Sequence, residues 1–235
     1  MSKVVVIDSG INKKYAKNNL NVIKSLSLYI DKNNNISEKD GFECNNPHGT
    51  AVADIIASIN PDAQIIDINI LDDNLETNGY ILLKSIERAI EIKPDVINLS
   101  LGTNSLKYII RMIKLIRKAV KNNIHVVAAY DNSGKITFPA MIKGVIGVKS
   151  ISHFGKENFS NQYAYKKNIY YAPGCSIYAY NLDGSECENI MYGNSMASAY
   201  IAGKISFIID ENIGISHKAV INKMKFNLKY KHNRR

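Results

Sequence analysis

Five short, predominantly apolar runs recur along this chain, with helix-period stretches between them. Val4–Ile7, Ile65–Ile70, Val96–Leu101, Ile124–Ala129 and Val145–Val148 read as strands. They are near-continuously apolar rather than alternating, so each is expected to be buried on both faces. Apolar residues recur at helical spacing near 48–59, 79–92 and 107–122, and again near 195–210. Strands buried on both sides need helices to cover them. The pattern therefore predicts an α/β fold with a mostly parallel central sheet and helices on both faces. No internal repeat or long linker interrupts the 235 residues, which suffice for one domain with a large core. That domain is expected over 1–222, with a basic C-terminal tail over 223–235, and Asp31–Asn35 is the clearest surface loop.

Composition narrows the function classes. Hydrophobic residues make up 46% and charged residues 22%, as in an ordinary globular protein, and no apolar run reaches membrane-spanning length. Only Val4–Ile7 stands between Met1-Ser2-Lys3 and Asp8, too short for the apolar core of a secretory signal, so a cytoplasmic location is expected. Cys44, Cys175 and Cys187 are odd in number and lack Cys-x-x-Cys spacing, which points to free thiols. Cys44 and His48 would make only half of a metal site.

The net charge of +9 is local. Lys107, Arg111, Lys114, Arg117, Lys118 and Lys121 form one acid-free segment, and the tail adds Lys223, Lys225, Lys229, Lys231, Arg234 and Arg235. Removing those twelve takes the net charge from +9 to −3. The segment 107–121 reads as a solvated helix face or a docking site for an acidic partner. The tail reads as a frayed end or a contact for nucleic acid or an anionic surface.

Three scattered runs carry one chemistry. Asp8-Ser9-Gly10 follows the first strand, and so lies at the reactive carboxyl edge of the sheet. His48-Gly49-Thr50 opens the helix whose stripe is Val52, Ile55, Ile56 and Ile59. Gly193-Asn194-Ser195-Met196-Ala197-Ser198 opens the helix striped by Ala199, Ala202, Ile205 and Ile209. A carboxylate, an imidazole and a hydroxyl can together activate a serine for attack on an acyl group. Singly, each run has a plainer meaning: a turn after a strand, a chance His-Gly-Thr, a serine capping a helix.

At these residues the chain resembles the subtilisin-like serine peptidases. The matching runs are Val4–Gly10, His48–Ala53, Val96–Gly102, Val126–Ala129, Ala172–Gly174 and Gly193–Ser198, in family order across nearly the whole chain. The resemblance implies a subtilisin-like single domain and a serine endopeptidase using no cofactor. Ser195 would be the nucleophile, His48 the general base, Asp8 its orienting carboxylate and Asn132 an oxyanion donor. Ser100, Leu101, Gly102, Ala128 and Ala129 would grip an extended peptide or protein substrate, and Tyr130 and Asp131 would stand at the specificity pocket. The alternative is a catalytically silent peptide-binding module on the same fold.

The chain also departs from that family. With Met1 as the start, Asp8 lies so near it that no pro-region is expected, and the short link Ser58–Ala63 lacks the calcium loop that relatives often carry there, so no metal is expected. A restricted cytoplasmic processing role, such as maturation or leader removal, is expected in place of bulk digestion. Tyr130 and Asp131 replace small residues. Either Asp131 puts a carboxylate near the pocket and favours Lys or Arg before the scissile bond, or it turns away or Tyr130 fills the pocket. Asn194 stands where relatives have threonine, which reads as a mild change at a turn. Ala199-Tyr200 replaces a usual Pro-His.

Overall fold

The computed structural model describes residues 1–41, 46–72, 74–151, 163–176, 179–180, 186–187 and 191–232. The expected strands become β1 (Lys3–Asp8), β4 (Gln64–Asn69), β5 (Val96–Leu99), β6 (His125–Ala129) and β7 (Val145–Ile151). Four further strands join them: β2 (Val22–Ile30), β3 (Ile36–Asp40), β8 (Ala164–Lys166) and β9 (Ile169–Pro173). The nine make one sheet in the order β3-β2-β4-β1-β5-β6-β7-β9-β8. All neighbours run parallel except the outer pairs β2–β3 and β8–β9. Asp31–Asn35 is the loop that joins β2 to β3.

Five helices cover the sheet: α1 (His48–Ile59), α2 (Gly79–Ile92), α3 (Ile109–Lys121), α4 (Asn194–Asp210) and α5 (His217–His232). Successive strand residues point to opposite faces, and both faces are dry. Val4 and Val6 of β1 pack with Val52 and Ile56 of α1 and Ile201 and Ala202 of α4. Val5 and Ile7 face Ile86 of α2 and Ile116 of α3. This two-sided burial is why β1 is apolar without alternation.

Two sequence expectations change. β5 stops at Leu99, because its register with β6 ends at the Leu99–Ala128 pair and the chain beyond turns off to pair Thr103 with Phe138. The basic end is not frayed from Lys223: α5 continues to His232, and Met224 on it is buried against the α1–α4 side of the core. The described residues contain no helix long and apolar enough to cross a membrane.

Candidate active site

Asp8 ends β1, at the carboxyl edge of the sheet, and is wholly buried. Its Oδ1 accepts from the Ser9 N–H at 2.7 Å and from His48 Nδ1 at 2.7 Å. The segment after β1 and the start of α1 lock together through Ser9 and Asn12 on one side and Gly49 and Thr50 on the other. Ser9 Oγ accepts from the Gly49 N–H at 3.0 Å, and Thr50 Oγ1 accepts from the Asn12 N–H at 2.9 Å. Gly49 must lack a side chain, since a Cβ there would lie 2.4 Å from the Gly10 carbonyl oxygen. The Ser-Gly and Gly-Thr pairs are thus what bring the carboxylate and imidazole into one hydrogen bond.

Each partner perturbs the other. Burial alone would raise the Asp8 pKa, but the charge and hydrogen bond of His48, with the Ser9 N–H, hold it below the ordinary carboxylate value. Burial would lower His48, but the Asp8 charge and hydrogen bond raise it above the usual histidine value. With Nδ1–H committed to Asp8, the neutral ring presents Nε2 as its base.

Ser195 sits in the first turn of α4, after Gly193, whose φ of 140° excludes other residues. A Cβ on Gly193 would also lie 3.1 Å from Asn132 Nδ2. Asn132 follows β6 and presents its amide at the start of α4, with its Oδ1 accepting from the Asn194 N–H at 3.0 Å. Among the described residues, the Ser195 hydroxyl donates to the Ser100 carbonyl at 3.0 Å rather than to His48. Catalytic hydrogen bonds are often unformed without substrate, and one χ1 rotation redirects a serine hydroxyl.

The expected substrate residues fall around this point. β5 and β6 stay paired only as far as Leu99–Ala128, so Ser100-Leu101-Gly102 and Ala129-Tyr130-Asp131 continue beyond their shared ladder. Gly102 is tight, since a Cβ would meet Thr137 Cγ2 at 2.4 Å. Ala128, expected at the substrate track, is instead enclosed in the sheet, wholly buried and paired with Leu99 on one side and Gly147 on the other, while Ala129 lies one residue beyond the end of the β5–β6 ladder. The Tyr130 ring packs across Gly147 of β7, where a Cβ would lie 2.6 Å from Tyr130 Cε2, with the Lys149 ammonium 5.0 Å above it. Asp131 turns to its own loop, accepting from the Ser133 N–H at 2.8 Å, from the Ser133 hydroxyl and from the Lys135 N–H. These bonds hold its pKa below the ordinary value.

Two residues escaped the sequence reading. Asn194 is nearly buried, and its side chain joins the ends of β6 and β7 to α4. Asp67 of β4 is fully buried near Asp8, with Oδ2 accepting from the Ile11 N–H at 3.1 Å. Its Oδ1 lacks a well-formed hydrogen bond, although Ser25 across the β2 ladder contributes. Burial pushes its pKa up to about 7, against the hydrogen bonds of Ile11 and Ser25. Asp67 interrupts an apolar strand, and that was the only signal of it in the sequence.

Cys44 lies outside the described residues, and no group of three or more His, Cys, Asp or Glu among those described could hold a metal ion. The six basic side chains of 107–121 are exposed or partly so, and none forms an ion pair among the described residues.

Comparison with known proteins gives the family and the fold. The model of the subtilase family matches residues 2–228. Subtilisin NAT of Bacillus subtilis subsp. natto is 30% identical over 230 residues, covering 89% of this chain and 56% of its own. Subtilisin DY of Bacillus licheniformis is 29% identical over 238 residues, covering 94% and 81%. The chain spans little more than half the length of subtilisin NAT and of subtilisin E from Bacillus subtilis strain 168, 56% in each case. Sphericase superposes with a TM-score of 0.74 at 20% identity, over 95% of this chain and 81% of that one. The prenylagaramide maturation protease PagA gives 0.67 at 22%, over 90% and 76%. At these identities the superpositions show a shared fold.

Proposed function

The chain belongs to the subtilase family, and from that premise we propose that it is a serine endopeptidase acting through Asp8, His48 and Ser195. The single observation that carries this reading is the 2.7 Å bond between buried Asp8 and His48 Nδ1 at the same sheet edge as the α4 N-terminus. The bond fixes the imidazole tautomer and stabilises its charged form.

In the proposed reaction, Ser195 Oγ turns from the Ser100 carbonyl and attacks the peptide carbonyl carbon while His48 Nε2 takes its proton. The new oxyanion receives hydrogen bonds from Asn132 Nδ2 and the Ser195 N–H, at the positive end of α4. Collapse breaks the C–N bond as His48 returns the proton to the leaving amine. A water then attacks the acyl-enzyme ester, giving a proton to His48, and collapse breaks the ester C–O bond as His48 returns that proton to Ser195 Oγ and the carboxyl product leaves. The main chain of Ser100–Gly102 and of Ala129–Tyr130, beyond the end of the β5–β6 ladder, grips the extended peptide, with affinity drawn from backbone hydrogen bonds.

The substrate role is a restricted processing one. Support comes from the likeness in fold to a protein described as a maturation protease and from the basic, unpaired face of α3, which suits an acidic segment of a precursor. One observation favours a silent peptide binder: the Ser195 hydroxyl faces Ser100 and not His48. A fluorophosphonate probe separates the two. Labelling that vanishes in Ser195→Ala supports the peptidase, and absent labelling of folded protein overturns it.

A further inference from the structure

We infer that Asn194 is a positioning residue that holds the oxyanion donor Asn132 in register with the nucleophile. Its side chain uses all the roles of a carboxamide at once. Oδ1 accepts from the Ser150 N–H of β7 at 2.7 Å, and Nδ2 donates to the Tyr130 carbonyl at 2.9 Å and the Asp131 carbonyl at 3.3 Å. Both carbonyls belong to the two residues that lead directly into Asn132. The backbone N–H of Asn194 closes the loop by donating to Asn132 Oδ1 at 3.0 Å.

That last bond decides which way the Asn132 amide faces. A backbone N–H can only donate, so it takes the oxygen and leaves the Asn132 amino group unengaged by it, close to Gly193 just ahead of α4. The amino group is the one that an oxyanion needs. Asn194 thus grips both sides of the site: its side chain fixes the main chain that carries Asn132, and its N–H fixes the Asn132 rotamer. The neighbouring turn is held as well, with the Gly193 N–H donating to the Gly174 carbonyl at 2.9 Å and a φ of 140° at Gly193 that side chains rarely adopt.

The carboxamide is specific to this task. A threonine hydroxyl has one donor and cannot reach two carbonyls and an N–H on different strands. An aspartate keeps the acceptor for Ser150 but turns a carboxylate oxygen against two carbonyls. It also adds negative charge where the oxyanion forms. The positioning role rests on the peptidase reading for its effect on rate, but the geometry of the Asn132 amide is independent of turnover.

The test is a double-mutant cycle on the full chain with a fluorogenic peptide found in a library screen. Asn132→Ala is expected to lower kcat about 10²–10³-fold. Asn194→Ala and Asn194→Thr are expected to lower kcat by about tenfold or more with KM within about twofold, whereas in the Asn132→Ala background they cost less than about threefold. Equal losses in both backgrounds overturn the inference, since a residue serving only the fold acts independently of Asn132. Melting temperature and fluorophosphonate titration of active sites correct for misfolded protein. The Asn132 side-chain amide, followed by nitrogen-15 NMR in Ser195→Ala protein, gives a readout that needs no activity. A shifted and broadened signal in Asn194→Ala supports positioning, and an unchanged signal overturns it. A wild-type protein that fails to label while this signal still shifts refutes the peptidase reading alone.

Discussion

Asp67→Asn should make the stability of this protein less dependent on pH, with a sign opposite to that of a salt-bridged carboxylate. Burial lifts Asp67 from 3.8 to about 7. Between those values the native state holds a proton that the unfolded state has released, so stability falls as pH rises. The shift of about three pH units, at about 1.36 kcal/mol each, corresponds to roughly 4 kcal/mol accumulated by pH 7 and constant above it. Asparagine keeps an acceptor for the Ile11 N–H and never ionises. Its amino group needs Ser25 as acceptor, and a poor fit there costs about 1–3 kcal/mol at every pH. The diagnostic quantity is therefore the change in the gap between variant and wild type, which cancels that constant. Urea unfolding at pH 5, 6, 7 and 8 should show the gap moving in the variant's favour by roughly 3 kcal/mol. A gap that stays constant across the series refutes the assignment of Asp67 as a carboxyl kept neutral by burial.

Other consequences are as direct. Because Asp8 raises His48 above 6.5, kcat/KM should climb with pH through a midpoint above that value, and a midpoint below 6.5 in pH–rate profiles would contradict the ion-pair geometry. Asp8→Asn should lower kcat by about 10⁴ while the protein stays folded by circular dichroism, because the imidazole loses its tautomer and charge partner. Gly203 sits where α4 crosses α1, and a Cβ there would lie 3.1 Å from Ile59 Cβ and 3.2 Å from the Ile56 carbonyl. Gly203→Val should therefore cost roughly 1–3 kcal/mol in urea unfolding, and an unchanged midpoint would mean the helices part freely.

The sequence made the centre of the molecule legible and its edges less so. β1 and β4–β7 were readable because residues such as Val4 and Val5 are buried against different helices on opposite faces. β2 was not, because Lys24, Ser25 and Ser27 break its apolar run without a strict alternation, and it lies between a parallel neighbour and the outer strand β3. α5 escaped because its apolar residues are interleaved with basic ones and form no clean helical stripe, and its packing on the core, with Val220 and Met224 buried, is legible only in the fold. The triad residues stood in short recognisable runs. Asn194 stood in the same run yet looked like a mild change, since its three side-chain partners come from 44 to 64 residues away in the chain. Asp131 left two readings open. Its identity pointed at a pocket, while the turn Asp131–Lys135 offered its carboxylate local N–H groups.

The most direct measurement is mass spectrometry of a defined peptide library after incubation with the wild-type protein and with Ser195→Ala. A triad at Asp8, His48 and Ser195 requires new peptide termini with wild type and none with the variant, together with a transient acyl adduct on Ser195. Cleavage at the same bonds by both proteins, or intact peptides with folded wild type, would contradict it.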